Sequence, residues 1–330
     1  MAGRALSSQA AESAFGLVLD GKVPEVLAAA FLIALKMKGE TGDEIAGCAR
    51  AMRRRARALK LGVEGVLDTC GTGGDNAGTF NISTGAALIA AAAGVPVAKH
   101  GNRAISGKVG GADVLEKFGI KIDGDPPLLR KCIRAAGCCF IFAPAYHPAL
   151  ARLAPLRRTL ATRTLFNLMG PLVNPASPSR QVTGVAEARL FEEFARAIAM
   201  LGTEHAMLVH GLDGLDEISI SAETLVGELV NGEVNEYNLH PSQFGLELYD
   251  RRAIEVNTVE ESKEMILAVL GNQPGPARSI VALNAGAAIY TGGVAKTHKA
   301  GIERALHAIE SGDARRKLDE FVAFTQKAKK

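Results

Sequence analysis

Val66-Leu67-Asp68-Thr69-Cys70-Gly71-Thr72-Gly73-Gly74-Asp75, running on through Asn76 and Thr79 to Asn81-Ile82-Ser83-Thr84, is the stretch that decides the fold. A short apolar run, Val66 to Thr69, ends in three closely spaced glycines, and an apolar stretch of helical character, Thr84 to Gly94, follows. Strand, glycine turn and helix in that order make one half of a parallel βα unit. The rhythm recurs in the run Val95–Lys99 and the helical stretch Gly111–Gly119, then at Cys138–Ala143, Arg189–Gly202 and Ala206–His210. An α/β fold with a mainly parallel central sheet flanked by helices is therefore expected.

Upstream of this stretch the texture differs. Ser8 to Lys60 reads as helical, with Pro24 suited to a first helical turn and Thr41-Gly42-Asp43-Glu44 forming a capping box ahead of Ile45. A small all-helical domain over residues 1–64 is expected. The cations that close it, Arg53, Arg54, Arg55, Arg57 and Lys60, complement a helix C-terminus better than they define an anion patch. Between Leu156 and Pro178 a stretch rich in Pro and Arg interrupts the βα rhythm. The chain is expected to return there to the helical domain, over about residues 157–182, leaving 65–156 and 183–330 as the α/β domain.

Composition narrows the function classes. The 330 residues carry 38 Lys+Arg against 35 Asp+Glu, a net charge of +3, with 48% hydrophobic and 22% charged residues. That balance argues against disorder and against a dedicated nucleic-acid surface. Gly85 to Ala98, the longest apolar stretch, falls short of the roughly 20 residues a membrane span needs. Met1 to Arg4 lack the apolar core of an export signal, and five cysteines with no C-x-x-C spacing suggest neither a disulfide framework nor a zinc site. A reducing cytoplasm is expected. Glycine, 36 of 330 against a norm of about 7%, suits turns where backbone approaches a ligand closely.

Three segments carry chemistry. Gly71 to Asp75, leading to a helix start at Asn81–Thr84, offers converging backbone N–H groups and a positive dipole end, which suits phosphate. The spacing is neither a Walker A loop nor a dinucleotide fingerprint, and a glycine-rich connector capped by Ser83 or Thr84 would explain it without a ligand. Lys99-His100-Gly101-Asn102-Arg103 stands at the C-terminal end of the next strand, where α/β proteins bind ligands. Lys99 supplies a point charge and Arg103 a fork for phosphate oxygens, although Arg103 equally suits an internal ion pair and His100 a structural role. The third segment, Asp213-Gly214-Leu215-Asp216-Glu217, places two carboxylates on one turn. They suit magnesium on a diphosphate, which needs few protein ligands, or form a solvated acidic turn.

Taken together, Gly71–Asp75, Asn81–Thr84, Lys99–Arg103 and Asp216-Glu217 follow the order and approximate spacing of the anthranilate phosphoribosyltransferase family, which the chain resembles. The chain also resembles that family at Met37–Thr41, at Tyr146–Ala149 with Arg157, at Phe166–Pro175 and at Asn284–Gly286, so the likeness spans nearly the whole length. The resemblance implies transfer of a phosphoribosyl group from phosphoribosyl diphosphate to the amine of anthranilate, with Mg2+. It implies a helical domain joined to an α/β domain, the site in the cleft between them, and a homodimer built through the helical domains. No nucleic acid or membrane partner is implied.

By the same resemblance, Gly71, Gly74, Asp75, Thr79, Asn81, Ile82, Ser83, Thr84, Lys99, His100, Gly101, Asn102, Arg103, Ala104, Ile105, Ser106, Gly107 and Gly111 match phosphoribosyl diphosphate contacts. Gly71, Asn102 and Arg157 match anthranilate contacts, with His100, His147 and Pro171 lining the aromatic acid's route. Ser83, Asp216 and Glu217 match the magnesium ligands. An arylamine presents a neutral lone pair at pH 7, so no general acid or base is assigned. The chain departs from the family where Gly107, Val109 and Gly111 replace frequent serines and where Ala161 replaces a common glycine. A pyrimidine-nucleoside phosphorylase is the nearest rival enzyme; it resembles Lys-x-Ser-Gly-Arg where this chain has Lys99-His100-Gly101. A non-catalytic relative that binds nucleic acid is a rival of a different class, disfavoured by the intact site residues and the net charge of +3. The same transfer to a different aromatic amine is compatible with every motif above.

Overall fold

The computed structural model describes residues 3–104 and 109–326. Three helices come first: α1 (Ser8–Leu19), α2 (Glu25–Lys38) and α3 (Gly42–Arg53). Ser7 caps α1, and the expected capping box at α3 forms, with Thr41 accepting from the Glu44 backbone and Glu44 accepting from the Thr41 N–H. The first βα units follow as β1 (Leu67–Thr69), α4 (Ile82–Ala92), β2 (Val97–Gly101), α5 (Gly111–Lys117), α6 (Pro126–Ala136) and β3 (Cys138–Phe142). Four short helices interrupt them: α7 (Ala143–Tyr146), α8 (Pro148–Arg152), α9 (Ala154–Leu160) and α10 (Leu165–Leu168). The chain then re-enters the sheet with β4 (Arg180–Gly184), α11 (Phe191–Met200), β5 (His205–Gly211), β6 (Thr224–Val230) and β7 (Glu233–Leu239). It closes on α12 (Val259–Leu270), α13 (Pro276–Thr291), α14 (His298–Glu310) and α15 (Asp313–Gln326).

One seven-stranded sheet has the order β3-β2-β1-β4-β5-β6-β7. β3 through β5 run parallel, whereas β6 and β7 add antiparallel strands at one edge. The mainly parallel α/β sheet flanked by helices is as expected. The β6–β7 hairpin and β4 are additions that the apolar rhythm did not mark, and Arg180 to Val182 pair in the sheet with β1. Asn231 and Gly232, both at positive φ, make the tight turn between β6 and β7.

Two apolar cores organise the molecule. One lies around the sheet, α4, α6 and α12 to α15. The second gathers Phe15, Leu32 and Ile45 from α1 to α3, Leu165 and Phe166 from the interrupting segment, and Phe191 and Phe194 from α11, ending on Leu208 and Leu229 of the sheet. Phe15 packs edge-on against Phe166 at 5.6 Å. The arginines that end α3 are tied into this core: Arg55 pairs with Asp20, Arg54 with Glu12, and Arg53 Nε donates to the Leu172 carbonyl at 2.7 Å. Their partners lie on other segments, so their role is wider than complementing a helix end.

Candidate active site

The parallel strands β1, β2 and β5 share one sheet, and the loops that follow them enclose a cavity of about 310 Å³. Parallel order brings these loops to the same end of the sheet, because every crossover helix returns the chain to the other end. Gly71, Gly74, Asp75, Thr79, Asn81, Ile82 and Ser83 line it from the loop after β1. Lys99, His100, Gly101, Asn102, Arg103 and Ala104 line it from β2, Gly111 from the start of α5, and Asp216 and Glu217 from the turn after β5. Thr84 sits one step behind the wall, buried, its hydroxyl donating to Asn81 Oδ1. Ile105, Ser106 and Gly107 lie outside the described residues.

Each charged group has a definite setting. Lys99 is buried, and its ammonium donates to the Thr69 carbonyl and, at 3.0 Å, to Ser83 Oγ, which brings the cation to the start of α4. Asp216 Oδ2 accepts from the Gly73 N–H at 2.8 Å, so the acidic turn and the glycine loop touch directly. Glycine permits this approach twice: a Cβ at Gly71 would press on the Asp216 carboxylate, and one at Gly184 would fall on the Asp216 backbone carbonyl. Burial, followed by the charge of Asp75, pushes Asp216 up to about 7. Burial and the Asp216 charge push Glu217 upward too, with Lys99 opposing. Two neighbouring carboxylates that resist ionisation together mark a place short of positive charge.

Of the two readings open for Arg103, a phosphate fork or an ion pair, the structure shows the ion pair. Its guanidinium grips Glu116 through two bonds of 3.0 and 2.7 Å and lies over the Phe142 ring at 4.9 Å, on the exposed side of the loop. The chain at Arg103 borders the cavity while the charge is committed to α5. Arg163, which the sequence did not single out, faces the cavity instead, and its Nη2 donates to the carbonyls of Gly73 at 2.6 Å and Thr72 at 3.3 Å. Asn167 also joins the wall. Arg163 carried no legible signal, whereas Asn167 stands in the Phe166–Pro175 run that carries the resemblance without having been assigned a contact.

Arg157, His147 and Pro171 do not line this cavity. All three belong to the interrupting segment, Arg157 on α9. His100 joins that segment to the cavity: its Nδ1 hydrogen-bonds the Gly170 carbonyl at 2.9 Å, and its ring meets that of His147 at 5.3 Å. Both histidines are buried, and Nε2 of each has no partner. Burial drives His100 down to about 3 and His147 to about 4, so both are neutral at pH 7. Arg157, on α9, is half-buried, has no ion-pair or hydrogen-bond partner for its guanidinium among the described residues, and is lowered by burial. An unpaired, partly desolvated guanidinium is a ready carboxylate receptor.

Among the described residues, no three His, Cys, Asp or Glu side chains are grouped so as to hold a metal ion unaided. A cation completed by substrate oxygens and water would need only the donors present, Asp216, Glu217 and the Ser83 hydroxyl, and would supply the missing positive charge.

Known proteins are similar to this chain over nearly its whole length. Residues 63–315 match the family model described as "Glycosyl transferase family, a/b domain", and residues 1–56 match its "helical bundle domain". The anthranilate phosphoribosyltransferase of Thioalkalivibrio sulfidiphilus is 48% identical over 320 residues, covering 97% of this chain and 95% of the relative. The crystal structure of the Thermus thermophilus enzyme of that name superposes with a TM-score of 0.92 at 40% identity, covering 98% and 97% of the two chains. The Saccharomyces cerevisiae enzyme, solved in complex with PRPP and Mg, does so with 0.89 at 27% identity, covering 98% and 94%. On this match across both of its parts, the chain belongs to the anthranilate phosphoribosyltransferase family of glycosyl transferases.

Proposed function

We propose that this protein transfers the 5-phosphoribosyl group from phosphoribosyl diphosphate to the amine of anthranilate, giving N-(5-phosphoribosyl)anthranilate and diphosphate in the second step of the tryptophan branch. The observation that carries the reading is the meeting of the glycine loop, Lys99 and the Asp216/Glu217 pair in one cavity, in a chain that also leaves Arg157 of the interrupting segment unpaired.

The diphosphate is held at the loop from Gly71 to Asp75 and the start of α4, with Lys99 neutralising part of its charge. Asp75, Asp216 and Glu217 would repel that anion, and a magnesium ion shared between Asp216, Glu217, Ser83 and the diphosphate makes the pocket receptive. Bound there, the ion stabilises negative charge on the departing diphosphate. The chain's own part is positioning. Backbone donors and Lys99 favour the charge that develops as the C1′–O bond breaks, and Arg157 grips the anthranilate carboxylate. Asn102 and the neutral His100 and His147 border the aromatic acid's route, with Pro171 behind them, and exclude water from the ribosyl centre. Loss of the Lys99 charge is expected to cost about 1.5–3 kcal/mol, roughly ten- to a hundredfold in turnover.

The division we favour is a helical part of residues 1–64 with about 157–182 and an α/β part of 65–156 with 183–330, the return segment giving way at Arg180, where β4 pairs with β1 in the sheet; the second core crosses this division through Phe191, Phe194, Leu208 and Leu229. A second copy of the chain is expected to cover the apolar residues that α1 and α2 leave in solvent, Leu17, Val26, Leu27 and Met37. All five cysteines are unpaired, which suits a reducing cytoplasm, and no helix among the described residues is long and apolar enough to cross a membrane.

The test is to follow anthranilate fluorescence with phosphoribosyl diphosphate and magnesium. Its loss is expected, and phosphorolysis of thymidine or uridine in its place would overturn the reading in favour of a nucleoside phosphorylase. In the same assay, Arg157→Ala is expected to raise the KM for anthranilate at least tenfold while changing that for phosphoribosyl diphosphate little. Asp216→Asn with Glu217→Gln is expected to shift the magnesium titration to higher concentration.

A further inference from the structure

Arg163 stands between α9 and α10, in the segment that the second core anchors through Leu165 and Phe166. Its neighbour Thr162 accepts a hydrogen bond of 2.6 Å from Lys36 of α2. From there the side chain crosses to the other core and reaches the glycine loop, where Nη2 donates to the carbonyls of Gly73 and Thr72. The guanidinium lies where a side chain at residue 74 would begin, since a Cβ built on Gly74 would fall inside it. Gly74, at φ +85°, is thus the residue that admits Arg163.

The far side of the loop is held as well. The Gly73 N–H is bonded to Asp216, the Thr72 N–H to the Gly184 carbonyl at 2.8 Å, and the Thr72 hydroxyl accepts from the Ala186 N–H. The loop is pinned by its carbonyls to the helical side and by its amides to the sheet side. Only the Arg163 half of that grip comes from outside the α/β core. Fixing the Gly73 carbonyl fixes the Gly74 N–H of the same peptide in the opposite sense, the geometry an anion requires, while the N–H opposite the Thr72 carbonyl is that of Gly73, bonded to Asp216. Arg163 also brings positive charge close to Asp216. Its Nε is buried without a partner, so the side chain is held by the two carbonyls and by packing.

We propose that Arg163 is a positioning residue for phosphoribosyl diphosphate: by clamping the Thr72 and Gly73 carbonyls from the helical part of the molecule, it sets the glycine loop in its anion-binding form. The inference rests on the functional reading above and extends it to a residue that acts through the loop. It separates two neighbouring arginines of one segment by task, Arg157 serving the carboxylate acceptor and Arg163 the diphosphate donor.

The experiment measures magnesium–phosphoribosyl diphosphate binding by calorimetry without anthranilate, and then both KM values, for the parent protein, Arg163→Gln, Arg163→Lys and Gly74→Ala. Arg163→Gln is expected to weaken diphosphate binding ten- to a hundredfold and to leave the KM for anthranilate within about twofold, with an unchanged melting transition at the helical core. Arg163→Lys, which keeps the charge and loses the planar fork, is expected to recover only part of the loss. Gly74→Ala, which displaces the guanidinium without removing it, is expected to reproduce the loss, and the double variant to be no worse than either single one. Should Arg163→Gln not fold, Gly74→Ala supplies the same comparison. Parent-like binding in the folded variants, or additive losses in the double variant, would overturn the proposal. A parent protein that binds no phosphoribosyl diphosphate would overturn the functional reading and this inference with it.

Discussion

Ala161 closes α9 in the left-handed region, at φ +46°. An L residue with a Cβ pays about 1 kcal/mol there, and glycine does not. Ala161→Gly is therefore expected to raise the unfolding free energy by about 1 kcal/mol, read as a higher denaturant midpoint at unchanged slope. His147 gives a second prediction. Its folded value of about 4 lies below the ordinary 6.5, so the unfolded chain binds the extra proton first. Stability from this residue is complete above pH 6.5 and is lost as pH falls toward 4, by on the order of 3 kcal/mol. His147→Asn should flatten the fall in stability over that window, measured by denaturation at a series of pH values. Much of the site was legible at this scale because Lys99, Asp216 and Glu217 are costly residues to place at strand ends without a purpose. Arg163 was illegible because its partners are backbone carbonyls some ninety residues earlier in the chain. Arg103 was left open between a phosphate fork and an ion pair because nothing in its own segment announces Glu116.

At the level of elements, the sequence displayed those βα units whose buried strands are short continuous apolar runs closed by glycine. β4 escaped because Arg180 and Gln181 open it and a proline-rich stretch precedes it. β7 escaped because it is an edge strand, with Glu233, Val234, Asn235 and Glu236 exposed, and so lacks an apolar run. The Asn231-Gly232 pair was the available signal for that hairpin. The end of β4 matters most for the site. A methyl group at Gly184 would require the acidic turn to move away, because the atom it meets is the backbone of Asp216 itself. Gly184→Ala is expected to destabilise the fold by roughly 1–3 kcal/mol and to weaken magnesium-dependent substrate binding more than about tenfold, seen in melting and titration together.

Across the whole molecule, the face that α1 and α2 turn outward is the least self-sufficient surface. Val26 is 78% and Met37 83% exposed, figures that an isolated soluble subunit has little reason to keep. On the proposal that a second copy covers this face, Val26→Glu with Met37→Glu is expected to give a monomer in sedimentation where the parent sediments as a dimer, with the cavity intact. The second core has a different consequence, for anyone who divides the chain. Residues 1–56 are a recognisable unit of sequence, yet Phe15 and Ile45 find their packing partners in Phe166 and Phe194, beyond the whole first run of the sheet. A fragment ending near residue 60 would carry an oily face and no lid for it. It would become ordered only on mixing with the remainder, so the helical part is a piece of grammar rather than a detachable word.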